Sequence, residues 1–122
     1  MFEFNKKDNK ITGNFGEDAA AAYLEKKGFK ILGRNINLFC GEIDIFAEKG
    51  KLLVIVEVKT VRGSGFGQAQ DLVRYAKQNK LRLLASAIEQ KYPDRPIRID
   101  VIGIDYSGEK PQIEHIESAV EG

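Results

Sequence analysis

Hydrophobic and polar positions along the chain change period from block to block. Residues 1–11 are polar and predict no element, so residues 1–12 are read as a flexible tail ahead of a single domain over 13–122. Phe15, Ala19, Ala22 and Tyr23 then recur at i, i+4, i+7 and i+8, which predicts a helix from Asn14 to Lys27. Asn14 with Glu17 has the spacing of a capping box, Lys26 and Lys27 suit the negative end of the helix dipole, and Gly28 suits the position just past it.

Three strands are predicted next. Phe29–Leu38 is the first, kinked at Gly33. Glu42–Glu48 is the second, with Ile43, Ile45 and Ala47 alternating against Glu42, Asp44 and Phe46. Leu52–Thr60 is the third, and its Leu-Leu-Val-Ile-Val run is apolar on both faces, the mark of a central buried strand. Lys49-Gly50 reads as a two-residue hairpin turn. The glycine-rich segment 61–67 predicts a loop. A second helix follows from Gln68 or Arg74 to Gln90, then a fourth strand at Ile97–Asp105 and a short fifth at Gln112–Glu117. A strand–helix–strand crossover makes strands three and four parallel. The order αβββαβ predicts an α/β protein with a mixed sheet flanked by helices.

Composition narrows the chemistry. With 122 residues, one cysteine (Cys40) and one histidine (His115), the chain has no internal disulfide, no zinc finger and no site of several histidines. The uninterrupted aliphatic run Leu52–Val56 is far short of a membrane span. A single thiol agrees with a reducing compartment, so the expected location is the cytoplasm, with no membrane partner. Neither Cys40 nor His115 has a partner at nucleophile or ligand spacing, and no chemistry is assigned to them.

The net charge of +1 hides an uneven distribution. Residues 1–58 sum to 0, residues 59–98 to +6 and residues 99–122 to −5. A basic central block in a neutral chain points to an anionic partner met locally, and a solvated helix face would read the same way.

The third strand carries the anomaly. Glu57 and Lys59 project from the same face as Leu53 and Ile55, where unpaired charge is costly. A turn at Lys49-Gly50 would set Asp44 opposite Ile55, one diagonal step from Glu57, and Glu42 opposite Glu57. Like charges facing one another call for a cation, so Asp44, Glu57 and Glu42 read as oxygen ligands for a divalent metal such as Mg²⁺, with Lys59 beside them. An internal ion pair of Lys59 with Asp44 or Glu57 satisfies the same pattern. In the second helix Leu81, Leu84, Ala85 and Ile88 form one face, and Arg74, Lys77 and Gln78 continue it towards the end of strand three. Those groups either converge on the carboxylates or overhang into solvent.

The motifs GEID at Gly41–Asp44 and EVKT at Glu57–Thr60 resemble the signature of the PD-(D/E)xK nuclease superfamily, and more closely the YraN family of small bacterial proteins. Gly16-Glu17 with Ala19 and Ala20, Gly28, Arg34-Asn35, Phe66-Gly67, Lys77-Gln78 and Ile113–Ile116 fit as well, so the likeness runs from Gly13 to Val120. It implies a restriction-endonuclease-like core similar to Holliday-junction resolvases, and a Mg²⁺- or Mn²⁺-dependent endonuclease acting on DNA, branched DNA included. In that resemblance Asp44 and Glu57 hold the metal, Lys59 completes the (D/E)xK pair, and Glu17 matches an acidic residue on the first helix that serves a second metal or its water. Arg74, Lys77, Gln78 and Arg62 would contact nucleic acid. Symmetric cutting of two strands would require a homodimer. Ile43 stands where the superfamily places proline. The alternative is a catalytically silent nucleic-acid-binding or protein-interaction module on the same fold.

Overall fold

A computed structural model of the chain describes residues 11–61, 71–72, 74 and 81–120. Its elements are α1 (Ile11–Lys26), β1 (Lys30–Leu38), β2 (Gly41–Lys49), β3 (Leu52–Val61), α2 (Leu81–Lys91), β4 (Ile97–Asp105) and β5 (Gln112–Val120). The strands form one sheet in the order β1-β2-β3-β4-β5. All neighbours are antiparallel except β3 and β4, which run parallel from Leu53↔Ile97 to Val61↔Asp105. The mixed α/β sheet and the αβββαβ order are those the residue pattern predicts, with β5 extended to Val120. No helix among the described residues is long and apolar enough to cross a membrane.

β3 is central and covered on both sides. Val54 and Val56 pack with Ala20, Leu24 and Ile102 on the α1 face, whereas Leu53 and Ile55 pack with Leu84, Ile88 and Val101 on the α2 face. This two-sided burial explains why the strand reads as a continuous apolar run.

Helix α1 begins at Ile11, so Asn14 lies inside it rather than capping it. Its buried side is also rotated from the predicted one. Gly16, Ala20 and Leu24 face the sheet, while Phe15 is 60% exposed and Ala22 is exposed. Four consecutive alanines give the sequence little directional signal, and the small side chains are what bring the helix close. A methyl group on Gly16 would overlap Thr60 Cγ2 of β3.

The β2–β3 register differs from the expected one by two residues. Lys49 pairs with Leu52, leaving Gly50-Lys51 as the turn, and Gly50 has φ of 61°. Glycine with positive φ is favoured at the first central position of a hairpin turn. A shift of two preserves which face each side chain takes, but it moves the pairs. Asp44 is not opposite Ile55, and Glu42 is not opposite Glu57.

Candidate metal centre at an acidic fork

The last β2–β3 pair is Ile45↔Val56. Continued by one position, the ladder would set Asp44 against Glu57. Instead the Val58 N–H donates to Asp44 Oδ2 at 2.9 Å, a side-chain oxygen standing where a strand carbonyl would otherwise accept. β2 and β3 thus part at Asp44 while β3 stays paired with β4.

The local backbone explains the parting. Ile43 packs on the α2 face and Ile45 on the α1 face, so the alternation of β2 breaks at the residue between them. Across in β1, Arg34 pairs with Ile45 and Ile36 with Ile43, which puts Asn35 opposite Asp44. Asn35 has φ of 51°, a left-handed conformation that asparagine tolerates better than most residues. Both strands therefore turn over at one level of the sheet.

Asp44 feels three other carboxylates there. Asp44 is pushed up from an ordinary 3.8 to about 8, first by burial and then by the Glu57 charge; the Val58 hydrogen bond opposes the shift, and Glu17 and Glu42 add to it. Glu17 reaches the fork from α1. Burial raises its pKa as well, partly offset by a hydrogen bond from Asn35 and by the Arg34 charge, with Glu42 again raising it. Arg34 Nη2 lies 3.7 Å from Glu17 Oε1 and 2.8 Å from Asp18 Oδ1. Glu17 Oε1 is buried without a hydrogen-bond partner among the described residues.

Strand β3 orients the rest. Val58 packs on the α1 face, so Glu57 and Lys59, both half-buried, take the α2 face. Asp44 senses the charges of Glu57, Glu17 and Glu42, and Lys59 lies two residues along β3 from Glu57. The geometry does not bring in Arg74, which is exposed and paired with Asp71 at 3.3 Å. Lys77, Gln78 and Arg62 lie outside the described residues.

This donor set suits a hard divalent cation. All donors are carboxylate oxygens, and one buried oxygen lacks a hydrogen-bond partner. Among the described residues, however, no three acidic, histidine or cysteine side chains stand in a ready-made metal-holding group. Asp44 and Glu57 are the pair that electrostatics and strand geometry place nearest to that role.

Sequence reasoning missed two features. Asn35 links Glu17 to the fork, and its signal was an asparagine inside a strand pattern. His115 is no isolated imidazole: its Nε2 lies 2.7 Å from Oδ2 of the fully buried Asp100, and Tyr23 Oη is 3.2 Å from its Nδ1. Arg98 holds the same Asp100 through Nε and Nη2 at 2.8 and 3.0 Å, and the Ser118 N–H adds a third contact at 3.1 Å. The signal here was an aspartate inside the apolar Ile99–Ile104 run. Together these contacts pin β5 to β4 and α1.

Comparison with known proteins bears out the resemblance to the YraN family. The model of the uncharacterised protein family UPF0102 matches residues 16–104. A UPF0102 protein of Geobacter metallireducens is 44% identical over 115 residues, covering 93% of this chain and 94% of the relative. One from Rhodococcus opacus is 42% identical over 114 residues, covering 91% and 97%. A solved complex of EndoMS with double-stranded DNA is similar at a TM-score of 0.43 and 18% identity, covering 84% of this chain and 39% of that one. That last likeness is too loose to carry an argument. The family match runs from the Gly16-Glu17 step of α1 to Ile104 of β4, across every element that shapes the fork, and the chain belongs to the UPF0102 family, also called YraN.

Proposed function

We propose that the chain is a divalent-metal-dependent endonuclease-like protein that hydrolyses phosphodiester bonds in DNA, branched DNA included. The observation that carries this reading is Asp44, half-buried within reach of the Glu57 charge where β2 leaves β3 and held there by the Val58 amide. Mutually repelling carboxylates at a break in a sheet cost stability, and a divalent cation between them would relieve that repulsion.

Asp44 and Glu57 would hold that cation, and Glu17 would serve a second metal or its water. Bound there, Mg²⁺ or Mn²⁺ would neutralise charge on a phosphate oxygen. Lys59 would orient the attacking water and stabilise charge developing on the phosphate. Asn35 and Arg34 would keep Glu17 turned towards the fork. Lys77, Gln78 and Arg62, which lie outside the described residues, would supply phosphate contacts.

A second reading, a nucleic-acid-binding module without turnover, is favoured by the lack of a three-ligand group among the described residues. Incubating linear, flapped and four-way-branched DNA with the protein and Mg²⁺ or Mn²⁺ separates the two. Metal-dependent cleavage that disappears in Asp44→Asn and Glu57→Gln supports the nuclease. Binding without cleavage, unchanged in both variants, supports the module.

A further inference from the structure

The β1–β2 turn is Phe39-Cys40, closed by the pair Leu38↔Gly41. Its two residues have opposite fates. Cys40 packs against the α2-face core, whereas Phe39 is 95% exposed. The other phenylalanines of the described residues are covered or engaged: Phe29 and Phe46 are 6% and 1% exposed, and Phe15 meets Tyr106 edge-on with centroids 6.0 Å apart. The turn is also anchored, because Gly41 lies against the Leu84 side chain of α2. A fully presented aromatic on an anchored two-residue turn gains nothing from the fold.

Its position suggests its use. β2 and β3 are antiparallel, so this turn lies at the same end of the sheet as Glu57 and Lys59, five residues before Asp44. Leu83, 56% exposed, is the neighbour of Leu84 on α2, with exposed Arg82 before it. Asn35–Gly41 itself carries no charge, and the nearest carboxylate in sequence, Glu42, is opposite Asn37.

We propose that Phe39 is a stacking platform for an unpaired nucleobase of a nucleic acid whose backbone lies at the acidic fork. This inference rests on the nuclease-like reading and specifies its substrate: strands with unpaired or splayed bases over uniform duplex. An aromatic ring accepts any base through its π-face. A second copy of the chain is a poorer occupant. One phenylalanine buries on the order of 150–250 Å², against roughly 800 Å² per partner in a stable interface.

The chain has no tryptophan, so Phe39→Trp makes a single indole reporter at the turn. Fluorescein-labelled single-stranded, forked and blunt duplex DNA are titrated with Ca²⁺ in place of Mg²⁺, following anisotropy for binding and indole emission for stacking. The indole should be quenched by single-stranded and forked DNA. Phe39→Ala should weaken binding of these two about tenfold, with blunt duplex changed less than twofold and Phe39→Tyr close to the parent. DNA bound at full anisotropy with unchanged indole emission, or Phe39→Ala equal to the parent on all three DNAs, overturns the platform and leaves the nuclease-like reading standing. An indole change that follows protein concentration alone, with a sedimentation shift lost in Phe39→Ala, assigns the ring to a second copy and overturns it too. No binding of any DNA by the parent protein fails the nuclease-like reading itself, and the platform with it.

Discussion

Oδ2 of Asp44 receives the backbone N–H of Val58 at 2.9 Å, one residue beyond Glu57. The bond ties the second strand's carboxylate to the third strand at the level where their ladder ends, and it keeps Asp44 beside a charge that repels it. Because burial and Glu57 raise Asp44 from 3.8 to about 8, the folded chain holds a proton that the unfolded chain releases. That contribution to stability is fully present below about pH 4, declines as pH rises towards about 8 and levels off above. In EDTA, the parent should therefore lose more melting temperature between pH 5 and pH 9 than Asp44→Asn, whose amide oxygen can still accept from Val58. Parallel curves for the two proteins would contradict the assignment.

Asn35 allows a conformational test. Its left-handed backbone and its hydrogen bond to Glu17 separate under substitution. Asn35→Gly keeps the conformation and removes the bond, so the fold should persist while metal affinity weakens. Asn35→Val also forces a β-branched residue to positive φ and should cost a further ~1–2 kcal/mol in chemical denaturation. Equal stability of the two variants would show that the backbone there is unstrained.

The His115–Asp100 pair should be structural. Burial alone would raise the Asp100 pKa, but hydrogen bonds from His115, Arg98 and Ser118 outweigh it and hold the carboxyl below its ordinary value of 3.8. Its contribution to stability is thus present above about pH 4 and lost as pH falls through the lowered value. His115→Gln should destabilise by ~1–3 kcal/mol, and Asp100→Asn should melt with a shallower acid limb than the parent. Both should bind divalent metal at the fork as the parent does. Loss of that binding in a folded His115→Gln variant would move the histidine into the site.

How much was legible in the sequence follows from which interactions are local. The two-sided apolar run of β3 and the alternation of Glu57 and Lys59 are period-2 facts, and they survive in the structure. The β2–β3 register was displaced by two residues because Lys49-Gly50 and Gly50-Lys51 both fit a two-residue turn and only the backbone distinguishes them, and the break in β2 at Asp44 has no period-2 signal at all. The α1 face was misread because Ala19–Ala22 has no direction without the sheet against which Gly16 and Leu24 pack. The Asp100–His115 pair was invisible because it depends on the antiparallel return of β5, 15 residues away.

Metal binding by Asp44 and Glu57 can be read without any nucleic acid. Calorimetric titration of Mn²⁺ into the parent, Asp44→Asn and Glu57→Gln proteins at pH 8 measures this directly. The parent should bind saturably, more tightly at pH 8 than at pH 6 because Asp44 must give up its proton, and both variants should lose that binding while they remain folded. Identical heats from all three folded proteins, or none from the parent at either pH, would contradict it.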